Sequence, residues 1–97
     1  MKNNIYKQLD PVIHQPVRLQ LMTFLHLAKK ASFSEIKKEL SITDGNLGAH
    51  LTKLEAKKYI KIKKSFILKK PTTTVVITSN GEKELIKYIE LLQGLIG

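Results

Sequence analysis

The spacing of apolar residues changes near Tyr59, and this change limits the folds that the chain can adopt. Between positions 47 and 54, leucines recur at intervals of four and three residues, which places them on one face of an α-helix. Between positions 60 and 68, the period becomes that of a β-strand: Ile60, Ile62, Phe66 and Leu68 share one face, and Lys61, Lys63, Ser65 and Ile67 share the other. The sequence therefore predicts a helix followed directly by a strand.

Two more helices are predicted before this point. Pro16 suits a first helical position, and the apolar stripe that follows runs from Val17 to about Lys29. The tetrapeptide 32–35, Ser-Phe-Ser-Glu, fits a capping box that starts a short second helix. Residues 41–43 then interrupt the helical pattern, and Thr43 is the expected N-cap of the third helix, which begins near Asp44.

After the first strand, the sequence predicts a hairpin and a last helix. The stretch 69–71, Lys-Lys-Pro, interrupts the strand, and the β-branched run 72–78 suits a returning strand. Residues 79–81, Ser-Asn-Gly, are expected to end the hairpin, and a helix is expected from about Glu82 toward Ile96. We therefore expect an α+β, mostly α fold in one domain, residues 1–97, with a three-helix core and a β-hairpin.

The charge of the chain favours a polyanionic partner. Its formal net charge is +9, from 17 basic and 8 acidic residues, so nucleic acid is the first expectation and an anionic membrane surface the second. Only Arg18 is arginine, so the lysines favour phosphate contacts over bidentate guanine contacts. The chain has no cysteine and no long apolar run, and we expect a soluble, cytoplasmic protein associated with a prokaryotic nucleoid.

The outward face of the third helix carries small and polar residues. Ala49 and Gly45 would permit close approach to base edges, Asn46 could bond adenine bidentately, and Lys53 could reach guanine or a phosphate. His50 lies at the flank of this face. Two helices joined by a tight turn and followed by a basic hairpin suit insertion into the DNA major groove. The alternative is an ordinary solvated helix surface.

The hairpin strengthens the nucleic-acid interpretation. Residues 43–80 contain eight lysines against two acidic residues, a net charge of +6. Lys69 and Lys70 at the predicted tip could enter a minor groove or hold phosphates, with Pro71 stiffening the loop. The alternative is that hairpin tips are commonly polar.

Several segments together resemble a known family. They are residues 16–22 (PVRLQLM), 33–36 (FSEI), 43–55 (TDGNLGAHLTKLE) and 69–73 (KKPTT), which are similar to short winged helix-turn-helix regulators related to the MarR and ArsR repressors. The resemblance covers nearly the whole chain. It implies a helix-turn-helix over about 33–58, a wing over about 60–78 and a C-terminal dimerisation helix over about 80–96. It also implies a homodimer whose third helices enter the major groove.

The expected DNA contacts form three groups. The recognition helix would contribute Thr43, Asp44, Gly45, Asn46, Ala49, His50 and Lys53. The wing would contribute Lys63, Lys64, Lys69, Lys70, Pro71 and Thr72. Further phosphate contacts are expected from Arg18, Ser32 and Ser34. Gly48 stands where such regulators often carry serine or another polar residue.

The last helix has more apolar residues than one narrow stripe would need, which favours a dimer interface. The expected dimerisation residues are Ile5, Leu9, Leu85, Ile89, Leu92 and Ile96. The alternative is a last helix buried within its own subunit, with Ile5 and Leu9 covering it.

No cofactor, metal site or enzymatic activity is expected. His14, His26 and His50 have no carboxylate or cysteine at metal-ligand spacing, and phosphate-binding loops, nucleophile elbows and paired catalytic carboxylates are missing from the sequence. A small-molecule effector, of unknown identity, would have to bind between the dimer helices and the winged domain.

The leading hypothesis is a sequence-specific, homodimeric regulator of transcription that binds double-stranded DNA, with repression as its simplest mechanism. Two alternatives remain open: a non-specific architectural DNA-binding protein, favoured by the lysine excess, and a protein-interaction module of a transcription complex. Membrane-surface binding is less favoured, because no helix combines a basic face with bulky aromatic residues.

Overall fold

The computed structural model describes residues 5–96, without the side chain of Ile5. The elements follow in the order α1 Ile5–Gln8, α2 Pro16–Ala28, β1 Lys30–Ser32, α3 Phe33–Leu40, α4 Asp44–Ala56, β2 Ile60–Ile67, β3 Lys70–Ile77 and α5 Ser79–Ile96. The predicted fold class is confirmed. Among the described residues, no helix is long and apolar enough to cross a membrane.

The helix starts lie where the capping residues predict them. Pro16 opens α2, and the Arg18 amide donates to the Gln15 side chain at 2.7 Å. At α3, the Glu35 amide donates to the Ser32 hydroxyl and the Ser32 amide donates to the Glu35 carboxylate, which confirms the capping box. The Thr43 side chain caps α4, so the boundary between the second and third helices is confirmed.

The sheet has three strands, not the two that the sequence predicts. It is antiparallel with the order β1-β3-β2, and Ala31 of β1 lies opposite Val75 of β3. A three-residue strand offers too little alternation to be recognised from the sequence. Its effect is to join the end of α2 and the start of α3 to the base of the wing.

The hairpin turn lies one residue earlier than the predicted tip at Lys69 and Lys70. The turn consists of Leu68 and Lys69, and Lys70 already lies in β3, opposite Ile67. Pro71 is therefore part of a strand, where it lies opposite Phe66. β3 tolerates a proline there because β1 pairs only with the other end of the strand, so this part of β3 has one neighbour.

The last helix begins three residues before the predicted start. Thr78 accepts hydrogen bonds at its side chain from the Gly81 amide and at its carbonyl from the Glu82 amide, both at 2.9 Å. The Ser-Asn-Gly sequence, interpreted as a turn, is instead the first turn of α5. Gly81 faces the base of the wing so closely that a Cβ there would lie 2.2 Å from the Tyr59 carbonyl oxygen.

One hydrophobic core fills the space between the helices and the inner face of the sheet. The predicted inward face of α4 is confirmed, since its three leucines are buried. The other fully buried large side chains are Ile13, Leu21, Met22, Leu25, Ile36, Ile60, Val75 and Leu85. Burial of this apolar surface is the main favourable contribution to folding.

The segment before α2 packs on α5 and on the wing base. Asp10 accepts hydrogen bonds from the Val12 amide at 2.8 Å and from the Tyr59 hydroxyl. Burial and the Asp10 carboxylate raise the pKa of Tyr59, so this phenol stays protonated and donates. His14 meets the Tyr88 hydroxyl at 2.7 Å. These hydrogen bonds connect the segment before α2 to the wing base and to α5.

Candidate nucleic-acid interface

The outward face of α4 is open to solvent. Because Leu47, Leu51 and Leu54 fix the inward side, the opposite side presents a set of exposed residues. That set is Gly45, Asn46, Ala49, Thr52, Lys53 and Ala56, with Thr43 and Asp44 exposed at the N-terminus. The structure therefore brings the predicted recognition residues to one surface.

The two glycines of α4 have no packing role within the chain. A Cβ at Gly45 or at Gly48 would meet no atom within 4 Å. Glycine inside a helix costs about 1 kcal/mol relative to alanine, and no contact within residues 5–96 requires glycine at these positions. Gly45 lies on the outward face and Gly48 beside it. Both positions allow a DNA strand to approach the helix backbone closely.

Arg18 is not at the surface, contrary to the expected phosphate contact. Its side chain is only 8% exposed; its Nε donates to the Val12 carbonyl at 2.5 Å, and one terminal nitrogen donates to Nδ1 of His50 at 3.1 Å. The guanidinium thus links the segment before α2 to α4. The prediction failed because an arginine at the start of α2 reaches inward under α4.

This contact determines the hydrogen-bonding state of His50. A guanidinium can only donate, so Nδ1 of His50 must accept and the ring proton lies on Nε2. Burial, together with the charges of Arg18 and Lys53, lowers the pKa of His50. The imidazole is therefore neutral at pH 7, with Nε2–H as a donor at the flank of the outward face.

The acidic residue at the start of α4 is paired. Lys37 of α3 lies 2.7 Å from a carboxylate oxygen of Asp44. This pair joins the two helices of the helix-turn-helix across the tight turn. It also offsets the one negative charge that the first turn of α4 would present to a phosphate backbone.

The wing lysines point to both sides of the hairpin. Strand register places Lys63 and Lys70 on the outer face of the sheet, while Lys64 lies on the other face and Lys69 in the turn. All four are exposed, as is Pro71. Thr72 is half-buried, and its hydroxyl donates to the Lys70 carbonyl at 3.3 Å. The wing therefore presents positive charge on every side of its tip.

Two lysines of this surface were not among the predicted contacts. Lys61 shares the outer face with Lys63, and Lys30 of β1 joins them because both Lys61 and Lys30 lie opposite Val76. The alternation of lysines in β2 already indicated Lys61. Lys30 could not be found, because its position depends on β1.

The two serines expected near the DNA differ in their availability. Ser32 is half-buried, and its hydroxyl oxygen accepts from the Glu35 amide at 3.1 Å. Ser34 is exposed in the first turn of α3. Ser34 thus has the more open hydroxyl, and Ser32 acts in the capping box.

The predicted dimerisation residues fall into two groups. Leu9 and Leu85 are buried in the chain's own core, so their assignment to a dimer interface was wrong. The segment before α2, which contains Leu9, packs on α5, which contains Leu85. Ile89 and Ile96 are exposed on α5, and Leu92 is half-buried. The side chain of Ile5 lies outside the described residues.

The three histidines lie in separate environments. His26 contacts the Glu82 carboxylate, whose other oxygen accepts from Lys29 at 2.7 Å; these two partners lower the pKa of Glu82. The other two histidines contact Tyr88 and Arg18, as described above. Within residues 5–96, no three potential metal ligands come together.

Comparison with known proteins gives close and remote relatives. The chain is 35% identical over 83 residues to an uncharacterized protein of Methanocaldococcus jannaschii, covering 84% of this chain and 90% of that protein. A solved transcriptional regulator homologue from Pyrococcus horikoshii OT3 is also 35% identical, with a TM-score of 0.90 over 97% of this chain and 95% of that chain.

A more remote structure shares the fold. A mutant MarR from E. coli, solved in complex with operator DNA, has a TM-score of 0.64 at 16% identity, over 91% of this chain and 68% of that chain. An ArsR family regulator shares the fold as well. The predicted resemblance to MarR- and ArsR-type regulators is confirmed. The family model of the winged helix DNA-binding domain matches residues 17–96, and the chain belongs to that family.

Proposed function

We propose that the chain is a sequence-specific transcriptional regulator that binds double-stranded DNA as a homodimer. In this complex, α4 lies in the major groove and the wing contacts the flanking backbone. The observation that carries this proposal is the outward face of α4, where exposed Asn46 and Lys53 stand beside two glycines that the fold does not need. This combination suits hydrogen bonding to base edges at close range.

The charges around α4 support a polyanionic partner. Arg18 is a nearly buried cation, and no carboxylate of the described residues forms an ion pair with it. Buried charges are normally paired. A DNA phosphate near His50 would supply the missing negative charge, with Nε2–H of His50 as the donor that connects the phosphate to Arg18. Arg18 would then act as a positioning residue.

The dimer is proposed from the exposed side of α5. Ile86, Ile89 and Ile96 lie on one face of this helix, and exposed apolar residues at such spacing are typical of a helix that packs on a partner. As in other helix-turn-helix dimers, we expect the two α4 helices to bind half-sites about one helical turn apart on the DNA. We further propose repression by operator occupancy, cytoplasmic location and no enzymatic activity.

The test is selection of bound sequences from a random duplex library by the full chain. The selected duplex and a scrambled version are then compared across a salt series. We expect a two-fold symmetric motif, preferred over scrambled DNA by about 10³ or more. Tight, steeply salt-dependent binding without a motif would replace this proposal with architectural DNA coating, and lack of duplex binding would favour a protein partner.

A further inference from the structure

The tip of the wing is apolar as well as basic. Phe66 is 76% exposed, Ile67 54% and Leu68 91%. The core-facing side of the hairpin is covered only at its base, where Ile60 and Val75 are buried. Beyond that point the hairpin extends into solvent on both faces, so intramolecular packing does not account for the three apolar side chains.

The backbone at the tip is also unusual for the residues present. Leu68 and Lys69 form the two-residue turn and have φ values of 52° and 65°, in the left-handed region. Two-residue hairpin turns of this kind favour Asn-Gly, because a bulky side chain is strained there. The chain therefore places a leucine at the outermost position of the wing at a cost in stability. Strain that the fold does not need indicates a use for the side chain.

The surroundings of the tip identify its partner by charge. Lys63, Lys64, Lys69 and Lys70 flank the apolar residues on both faces of the hairpin. An apolar tip with a ring of lysines fits a surface where apolar groups lie between two rows of anions. The minor groove of DNA has this arrangement, with stacked bases between two phosphate backbones.

From these observations we propose that the wing tip is a wedge: Leu68, supported by Phe66, inserts against a base step of the minor groove while the lysines hold the phosphates on either side. This inference rests on the proposed function and deepens it. Such insertion partly unstacks the step and kinks the duplex by roughly 20–90°, and flexible TA or CA steps next to the half-site would accept it most easily.

Two variants distinguish the loss of the wedge from a loss of folding or of positive charge. In Leu68→Asn, asparagine tolerates the left-handed conformation, so the hairpin should be at least as stable while the wedge is lost. Leu27→Asn, at another highly exposed leucine at the end of α2, is the matched control. Both variants keep every lysine, so the salt dependence of DNA binding should stay the same.

The experiment uses the full chain and the selected duplex, with a base analogue that brightens on unstacking at each flanking step and a fluorophore pair at the ends. Wild type and Leu27→Asn should brighten one flanking step and shorten the end-to-end distance. Leu68→Asn should bind with roughly tenfold lower affinity, an unchanged salt slope and neither signal.

The possible results distinguish a failure of the wedge proposal from a failure of the proposed function. If wild type binds the selected duplex without unstacking or bending it, or if Leu68→Asn retains both signals, the wedge is wrong and the regulator proposal stands. If wild type does not bind duplex DNA but binds anionic lipid vesicles through Leu68, both proposals fail and the tip is a membrane contact.

Discussion

Among single residues, the outward face of α4 includes positions that stability alone would not select. A Cβ added at Gly45 or Gly48 would meet no atom of the described residues within 4 Å, and Arg18 lies under the helix without an acidic partner among those residues. Each of these features costs stability in the free protein. A DNA partner would account for all of them.

Gly48→Ala tests whether glycine is present for close approach. We expect the free energy of unfolding to rise by up to about 1 kcal/mol, because alanine favours the helix and the added methyl group meets open space. Affinity for the selected duplex should fall at the same time. Thermal denaturation and fluorescence anisotropy measure the two effects, and a more stable variant with unchanged affinity would remove Gly48 from the interface.

The burial of His50 beside Arg18 predicts a pH dependence of stability. The pKa of His50 is lowered below its usual value of 6.5 in the folded chain, so the unfolded chain binds the proton more readily. The free energy of unfolding should therefore decrease as the pH falls from about 6.5 to the pKa of His50 in the folded chain. Above about pH 6.5, His50 causes no such loss.

His50→Asn isolates this effect. The amide oxygen of asparagine can accept from Arg18 in place of Nδ1 but does not titrate, so the melting temperature should depend less on pH between about pH 8 and 5. His14 and His26 remain in both proteins and cancel in the comparison. Parallel melting curves for wild type and variant would show that His50 does not titrate as described.

Among the elements, α5 lies in close contact with the base of the wing at Gly81. A Cβ at Gly81 would lie 2.2 Å from the Tyr59 carbonyl oxygen, which is backbone and cannot rotate away. We expect Gly81→Ala to lower the free energy of unfolding by about 1–3 kcal/mol. Denaturant titration measures the loss, with Gly94→Ala as the control because that position on α5 is open. Equal effects of the two substitutions would contradict this account.

The elements also show what the sequence could and could not predict. Periodicity and capping residues located α2, α3, α4 and the hairpin, because these signals act within a few neighbouring residues. The errors came from tertiary contacts. β1 exists only because β3 pairs with it, and Ser-Asn-Gly begins α5 because Gly81 fits against Tyr59.

The same distinction holds for the candidate interface. The outward face of α4 follows from the positions of its leucines, and the structure agrees with it. The locations of Arg18, Leu9 and Leu85 depend on how the segment before α2 folds over α5, which no local pattern encodes. The position of the wing turn depends on a leucine in a conformation that sequence preferences disfavour.

At the scale of the whole molecule, the proposed dimer depends on the exposed face of α5. Ile89→Lys places a charge in the middle of that face and should convert the dimer to a monomer, with a weaker and less cooperative DNA complex. Light scattering after size-exclusion chromatography measures the mass. Leu27→Lys, at a highly exposed leucine at the end of α2, is the control and should stay dimeric. A monomeric wild type would end the dimer proposal.

Base reading by α4 is measured by the ratio of affinities for the selected and scrambled duplexes, determined at one salt concentration for wild type and Asn46→Ala. If α4 reads bases, the substitution should lower this ratio by roughly 10- to 100-fold while binding to scrambled DNA barely changes. If Asn46→Ala weakens both duplexes equally, α4 does not read sequence through Asn46, and the chain binds DNA by charge and shape alone.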